Sequence, residues 1–110
     1  ELADIDARLK ATTERANAAE AEIQNLRTRF NAEVAQIDAD YQRDMQAAKS
    51  RGGIAPFQTK QAARERLLET RKRYEAEIAQ QQAAAETALA EARQLVVKRS
   101  QTITAALPGN

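Results

Sequence analysis

The sequence has no cysteine, no histidine and no tryptophan. Without cysteine there is no disulfide, no iron–sulfur cluster and no thiolate nucleophile, and the redox compartment leaves no trace. Without histidine, the usual zinc sites and the commonest general base near neutral pH are both missing. Aromatic residues make up only 4% of the chain, with 3 glycines and 2 prolines in 110 residues. A β fold needs more turn residues and more large side chains than this. Charge of one sign is lacking too: 17 basic residues against 16 acidic ones leave +1, so no overall field draws the chain to DNA or to an anionic membrane. No run of about 18 apolar residues occurs, so no membrane span is expected, and no basic segment followed by an apolar stretch marks a signal peptide. The reading is of a soluble chain, with periplasm, cytoplasm and virion all open. Because the sequence opens at Glu1 with Leu2 and Ile5 already in helical spacing, it is expected to be an excerpt or a processed piece of something longer.

What is present is alanine, 25 residues of it, with 11 glutamines and 30% charged residues. Alanine dominates the hydrophobic fraction, so the large apolar side chains are too few to fill a globule and must form a seam between long helices. An excess of arginine over lysine, 12 to 5, accompanies the alanine, as in GC-rich bacterial and phage coding sequence.

Strong helix breakers cluster in Arg51-Gly52-Gly53-Ile54-Ala55-Pro56-Phe57. Two glycines accept left-handed conformations and Pro56 opens a helix, so this segment reads as one turn between two helices. The expected organisation is a first helix over 1–51, a Gly-Gly/Pro turn at 52–56, a second helix over 57–107 and a tail at 108–110. Each helix is then about 75 Å long. The fold class is all-α: a long antiparallel helical hairpin of coiled-coil type, expected to assemble further into a multi-helix bundle.

Apolar residues on the first helix recur at alternating steps of 3 and 4 through Leu2, Ile5, Leu9, Thr12, Ala16, Ala19, Ile23, Leu26 and Phe30. Steps of 4, 4 and 3 then carry the stripe through Val34, Ile37, Tyr41, Met45 and Ala48, an eleven-residue repeat that relaxes a left-handed supercoil. The second helix supplies Phe57, Ala63, Leu67, Arg71, Tyr74 and Ile78, then Gln82, Ala85, Leu89, Ala92, Val96, Ile103 and Leu107. Its middle, Gln80 to Ala85, has only small or polar side chains and needs a partner. Folding at Gly52-Gly53 places residues opposite each other when their numbers sum to about 107. Ile23 then faces Ala85, Phe30 faces Ile78 and Val34 faces Tyr74; Asp38, Asp40 and Asp44 fall opposite the basic cluster, and Asp4 and Asp6 lie near Lys98 and Arg99. Large residues meet small or medium ones, as close packing requires, which favours a hairpin over a continuous rod.

Arg64, Arg66, Arg71, Lys72 and Arg73 form the densest basic segment. Five cations in ten residues are a candidate phosphate-binding patch. Helical spacing spreads them around the axis, Glu65 and Glu69 interrupt them and no aromatic platform accompanies them, so nucleic-acid contact is the weaker reading. Arg71, placed in the seam, is the cation expected to fix register. At the turn, Phe57 is expected to pack back on Ala48 or Met45, while Ile54 is open to docking a partner.

No catalytic constellation is found. The carboxylate pairs Asp4/Asp6, Asp38/Asp40 and Glu75/Glu77 are two residues apart, which turns their side chains about 200° from one another on a helix. Neither a phosphate loop nor a nucleophile elbow occurs. No catalytic, cofactor or metal residue is therefore expected, and the chain reads as a non-enzymatic structural or assembly protein of a bacterial or phage complex. The alternative is a module that holds a client protein or a nucleic acid along charged arms. Alanines on and beside the seam make an apolar surface broader than one partner covers, hence the expected homo-oligomer or larger assembly.

Overall fold

The computed structural model describes residues 1–109. The chain is all-α. Helix α1 (Leu2–Arg51) and helix α2 (Ala55–Ala106) pack against each other as an antiparallel hairpin, and no strand occurs among the described residues. Alanine, glutamine and the charged residues favour helix throughout. Hydroxyls inside the helices bond back one turn, Thr28 to the Gln24 carbonyl at 3.0 Å and Ser50 to that of Gln46 at 3.4 Å, and so disturb little.

Two glycines reverse the chain. Gly52 (φ 74°) and Gly53 (φ 58°) take consecutive left-handed conformations. The Gly52 N–H closes the last turn of α1 on the Ala48 carbonyl at 3.0 Å, and the Gln58 N–H opens α2 on the Ile54 carbonyl at 3.0 Å. The turn is two residues shorter than 52–56, because Ala55 and Pro56 are already helical. A proline in the first helical turn lacks only an N–H that would have had no partner there. At the other end α2 stops at Ala106, one residue before the expected 107, since Pro108 biases Leu107 away from the α region. Of the tail 108–110, Asn110 lies outside the described residues.

The chain divides into two compact units. The first joins Glu1–Ile23 to Ala79–Asn110, and its seam buries Ile5, Thr12, Ala16, Ala19 and Ile23 of α1 with Ala85, Ala88 and Leu95 of α2. Leu2, Leu9, Ala92 and Ile103 are half-buried at its margins. Two expected seam residues fall outside: Leu89 is 45% exposed and Val96 56% exposed. Their places are taken by Ala88 and Leu95, one residue earlier. Two stripes with acceptable helical spacing run side by side on α2, and the small side chains Ala16 and Ala19 bring α1 close enough that alanines fit opposite where leucine would not.

The second unit is Gln24–Ile78, built around the turn. Leu26, Ile37, Ala48, Thr70 and Tyr74 are buried, with Phe30, Val34, Tyr41, Leu67 and Ile78 half-buried around them. Arg71 is exposed and does not face the seam; Thr70 does. The seam runs Ala63, Leu67, Thr70, Tyr74 in steps of 4, 3 and 4, and a guanidinium about 100° round the helix remains in water. Phe57 is 63% exposed and so is not the expected staple against Ala48 or Met45, and Ile54 is 69% exposed. Ala48 itself is fully buried.

Candidate functional site

Arg15 organises the polar part of the first unit. Its guanidinium donates to the Glu91 carboxylate at 2.6 Å and to the Thr12 hydroxyl at 3.1 Å, while Thr12 donates to the Arg8 carbonyl at 2.7 Å. Thr12 is 1% exposed, so the one hydroxyl deep in this seam has both a donor and an acceptor, and its burial carries no unsatisfied-group penalty. Arg99 donates to Asp6 at 2.7 Å, and Lys98 stands 3.9 Å from Glu1.

In the second unit Arg73 grips Glu33 with one nitrogen, at 2.7 and 2.9 Å to the two carboxylate oxygens. The same guanidinium lies 5.1 Å from the centre of the Tyr74 ring, which meets Phe30 at 5.5 Å with a 58° tilt. The Tyr74 hydroxyl, and after it Arg73, holds the Glu33 carboxyl below the usual carboxylate range. Glu33 in turn raises the Tyr74 phenol, with burial adding to the effect. Two turns nearer the glycines, Arg66 donates to Asp40 at 2.8 Å and Gln36 donates to it at 2.9 Å. Those bonds, the Arg66 one first, lower the Asp40 carboxyl.

The basic segment is thus divided by the fold. Arg66 and Arg73 are tied to acids of α1, whereas Arg64, Arg71 and Lys72 point elsewhere and are exposed. Asp40 and Asp6 meet arginines as the antiparallel register requires; Asp44 instead pairs with its neighbour Arg43 at 3.2 Å. Three acids of cross-helix ion pairs, Glu1, Glu33 and Glu91, lie outside the sequence expectation. Residue pairs 33/73 and 15/91 each sum to 106, so a register one residue shorter than 107 finds Glu33 and Glu91.

Shallow grooves flank the seam. In the second unit one of about 370 Å³ is floored by Val34, Ile37, Tyr41 and Leu67 and edged by Asp38, Lys60 and Arg64. In the first unit one of about 690 Å³ is floored by Ala18, Ala19, Ala84 and Ala88 between Arg15, Glu22 and Gln81. No group of three or more acids occurs at metal-binding distance among the described residues, and no described helix is long and apolar enough to cross a membrane. The first groove thus has a floor of large apolar side chains and the second a floor of alanine, and each is edged by charged residues.

No family profile, curated protein or solved structure matches the chain. The functional reading therefore rests on the surfaces alone.

Proposed function

We propose that the chain is a structural assembly element: a helical hairpin whose role is to associate with further helices, either copies of itself or the flank of a larger complex. The observation that carries this reading is the poverty of the internal seam beside the richness of what lies outside it. In the first unit four of the eight buried seam positions are alanine, while Leu89, Val96, Val97 and Leu107 are all about half exposed or more. Large apolar side chains left in water beside an alanine seam are the pattern of a helix pair that gains its remaining stability from a neighbour. Sedimentation across a wide concentration range tests it: association above micromolar concentration is expected, and a monomer at every concentration would count against it.

One observation favours a second reading. Lys60, Arg64 and Arg71 lie within about 40° of one another around α2, exposed and with no acid paired to them among the described residues, as a module that holds an acidic client would have them. Ionic strength separates the two. Binding through these cations weakens steeply with salt, whereas apolar assembly does not.

A further inference from the structure

Between Asp44 and Glu65 the chain has no acidic residue, whereas Lys49, Arg51, Lys60 and Arg64 all fall inside that interval. The turn lies at its centre. These four cations are exposed, and none is paired with an acid among the described residues. From Gly52 to Phe57 no side chain is polar, and Ile54 and Phe57, at 69% and 63%, are the most exposed large apolar residues among those described. Arg51 ends α1 at the turn. Lys49 lies about 3 Å behind it along α1 and Lys60 about 8 Å from the start of α2, while the nearest acids, Asp44 and Glu65, lie about 10 Å and 15 Å back. Asp44 is also neutralised by Arg43 at 3.2 Å. On α2 the Cα–Cβ bonds tilt toward the helix N-terminus, which is at the turn, so Phe57 and Lys60 lean to the apex.

We infer that the turn is a docking site for an anionic lipid bilayer, with Ile54 and Phe57 entering the headgroup boundary and Lys49, Arg51 and Lys60 meeting the phosphates behind them. Such a contact is independent of helix association along the flanks. Three observations favour a bilayer over a soluble polyanion. The first is the order along the helices: apolar side chains at the apex, cations a few ångströms behind, acids only farther back. That is the order of depth in a leaflet, apolar inside and anionic outside. A nucleic acid presents its charge outermost and would meet Ile54 and Phe57 first. The second is shape. Nothing lies within 4 Å of an added Cβ at Gly52 or Gly53, so the apex is open and convex; an acidic protein would need a pocket ringed by carboxylates to receive it, whereas a bilayer yields to a protrusion. The third is the charge of the remainder. Outside the interval the sequence has 13 cations and 16 acids, so the same surface repels it and contact is confined to the turn.

The test uses the full chain and vesicles of phosphatidylcholine with or without about 30% phosphatidylglycerol. In flotation the chain is expected to rise with the anionic vesicles and to stay behind with the neutral ones. R51Q/K60Q is expected to weaken that binding by about tenfold or more, since each cation at an anionic surface adds about fivefold, and F57S by about threefold or more. R71Q/K72Q removes the same charge about 25 Å behind the turn, beyond the screening length, and is expected to change binding by less than about twofold. Helicity by circular dichroism should be unchanged in all three. Because the chain has no tryptophan of its own, F57W reports depth directly: its emission should shift to the blue on anionic vesicles, while that of A76W, about 30 Å behind the turn, should not. Absence of flotation with anionic vesicles, equal losses in R51Q/K60Q and R71Q/K72Q, or equal blue shifts in F57W and A76W would each overturn the bilayer contact. So would binding to soluble polyglutamate as tight as to the vesicles and undiminished by F57S, which would make the occupant an acidic protein.

Discussion

Arg15 and Glu91, 76 residues apart in sequence, are joined at 2.6 Å. Within the first unit this pair fixes which residue of α2 stands beside which residue of α1. Reversing either charge alone, R15E or E91R, is expected to lower the melting temperature slightly, and the double swap to recover it. The coupling should be below about 1 kcal/mol, because the Arg15 side chain is 59% exposed, and it should fade in molar salt. A double swap no better than the worse single variant contradicts the register.

The seam assignment on α2 is tested by two leucines. Leu95 is 4% exposed and Leu89 45% exposed, so L95A should cost about 2–3 kcal/mol in denaturant unfolding and L89A less than about 1 kcal/mol at concentrations where the chain is monomeric. Ile23→Asp, which puts a carboxylate where exposure is 5%, should cost about 3 kcal/mol or more. If L89A proved the more damaging leucine variant, the seam would have to be rotated by one residue.

At the turn, Gly52→Ala and Gly53→Ala are each expected to destabilise by about 1 kcal/mol, since a Cβ disfavours the left-handed conformation by that order. Nothing lies within 4 Å of an added Cβ at either position, so strain and not collision is the cause. Asparagine, which tolerates this conformation, should cost less than alanine at both sites. Equal losses for the two residue types would place the origin elsewhere.

Stability should fall on both sides of neutral pH. Glu33 and Asp40 have lowered carboxyl pKa values in the folded chain, so their contribution is present above the ordinary carboxylate range, about pH 4 to 4.5, and disappears as pH drops below it through the folded values. Tyr74 is raised, so its contribution is complete below its ordinary pKa near 10 and is lost as pH rises beyond it. Melting curves of E33Q should show a shallower acid limb than the parent, and those of Y74F a flatter alkaline one. An acid limb unchanged by E33Q would show that other carboxylates govern it.

The helices and the turn were legible because their signals are local and unopposed: one glycine pair, one helix-opening proline and a hundred residues of helix formers. Most of the α1 stripe was legible as well, since Ile5, Ile23, Leu26 and Ile37 have no competing apolar line beside them. On α2 the competition between Leu89/Val96 and Ala88/Leu95 hides the seam, because side-chain size marks the more hydrophobic stripe and not the one that faces a close neighbour. Arg71 and Thr70 compete for a related reason: Thr70 is a weak apolar signal, yet its small side chain fits the seam and a guanidinium does not. Phe57 shows a third limit, for an aromatic beside a turn packs only if the turn aims it inward, and the glycine pair marks where the chain reverses but not the direction in which Phe57 leaves it.

The paired glycines have a kinetic consequence. Cross-helix ion pairs lie at widening intervals from the turn, with Asp40 and Arg66 separated by 26 positions, Glu33 and Arg73 by 40, Arg15 and Glu91 by 76, and Asp6 and Arg99 by 93. Closing the widest interval before any other costs about 1 kcal/mol more chain entropy than closing the narrowest, whereas closing them in order spreads that cost over short steps. The hairpin should therefore fold as a zipper that starts beside Gly52 and Gly53, and amide exchange should be graded, slowest next to the turn and fastest at the two chain ends.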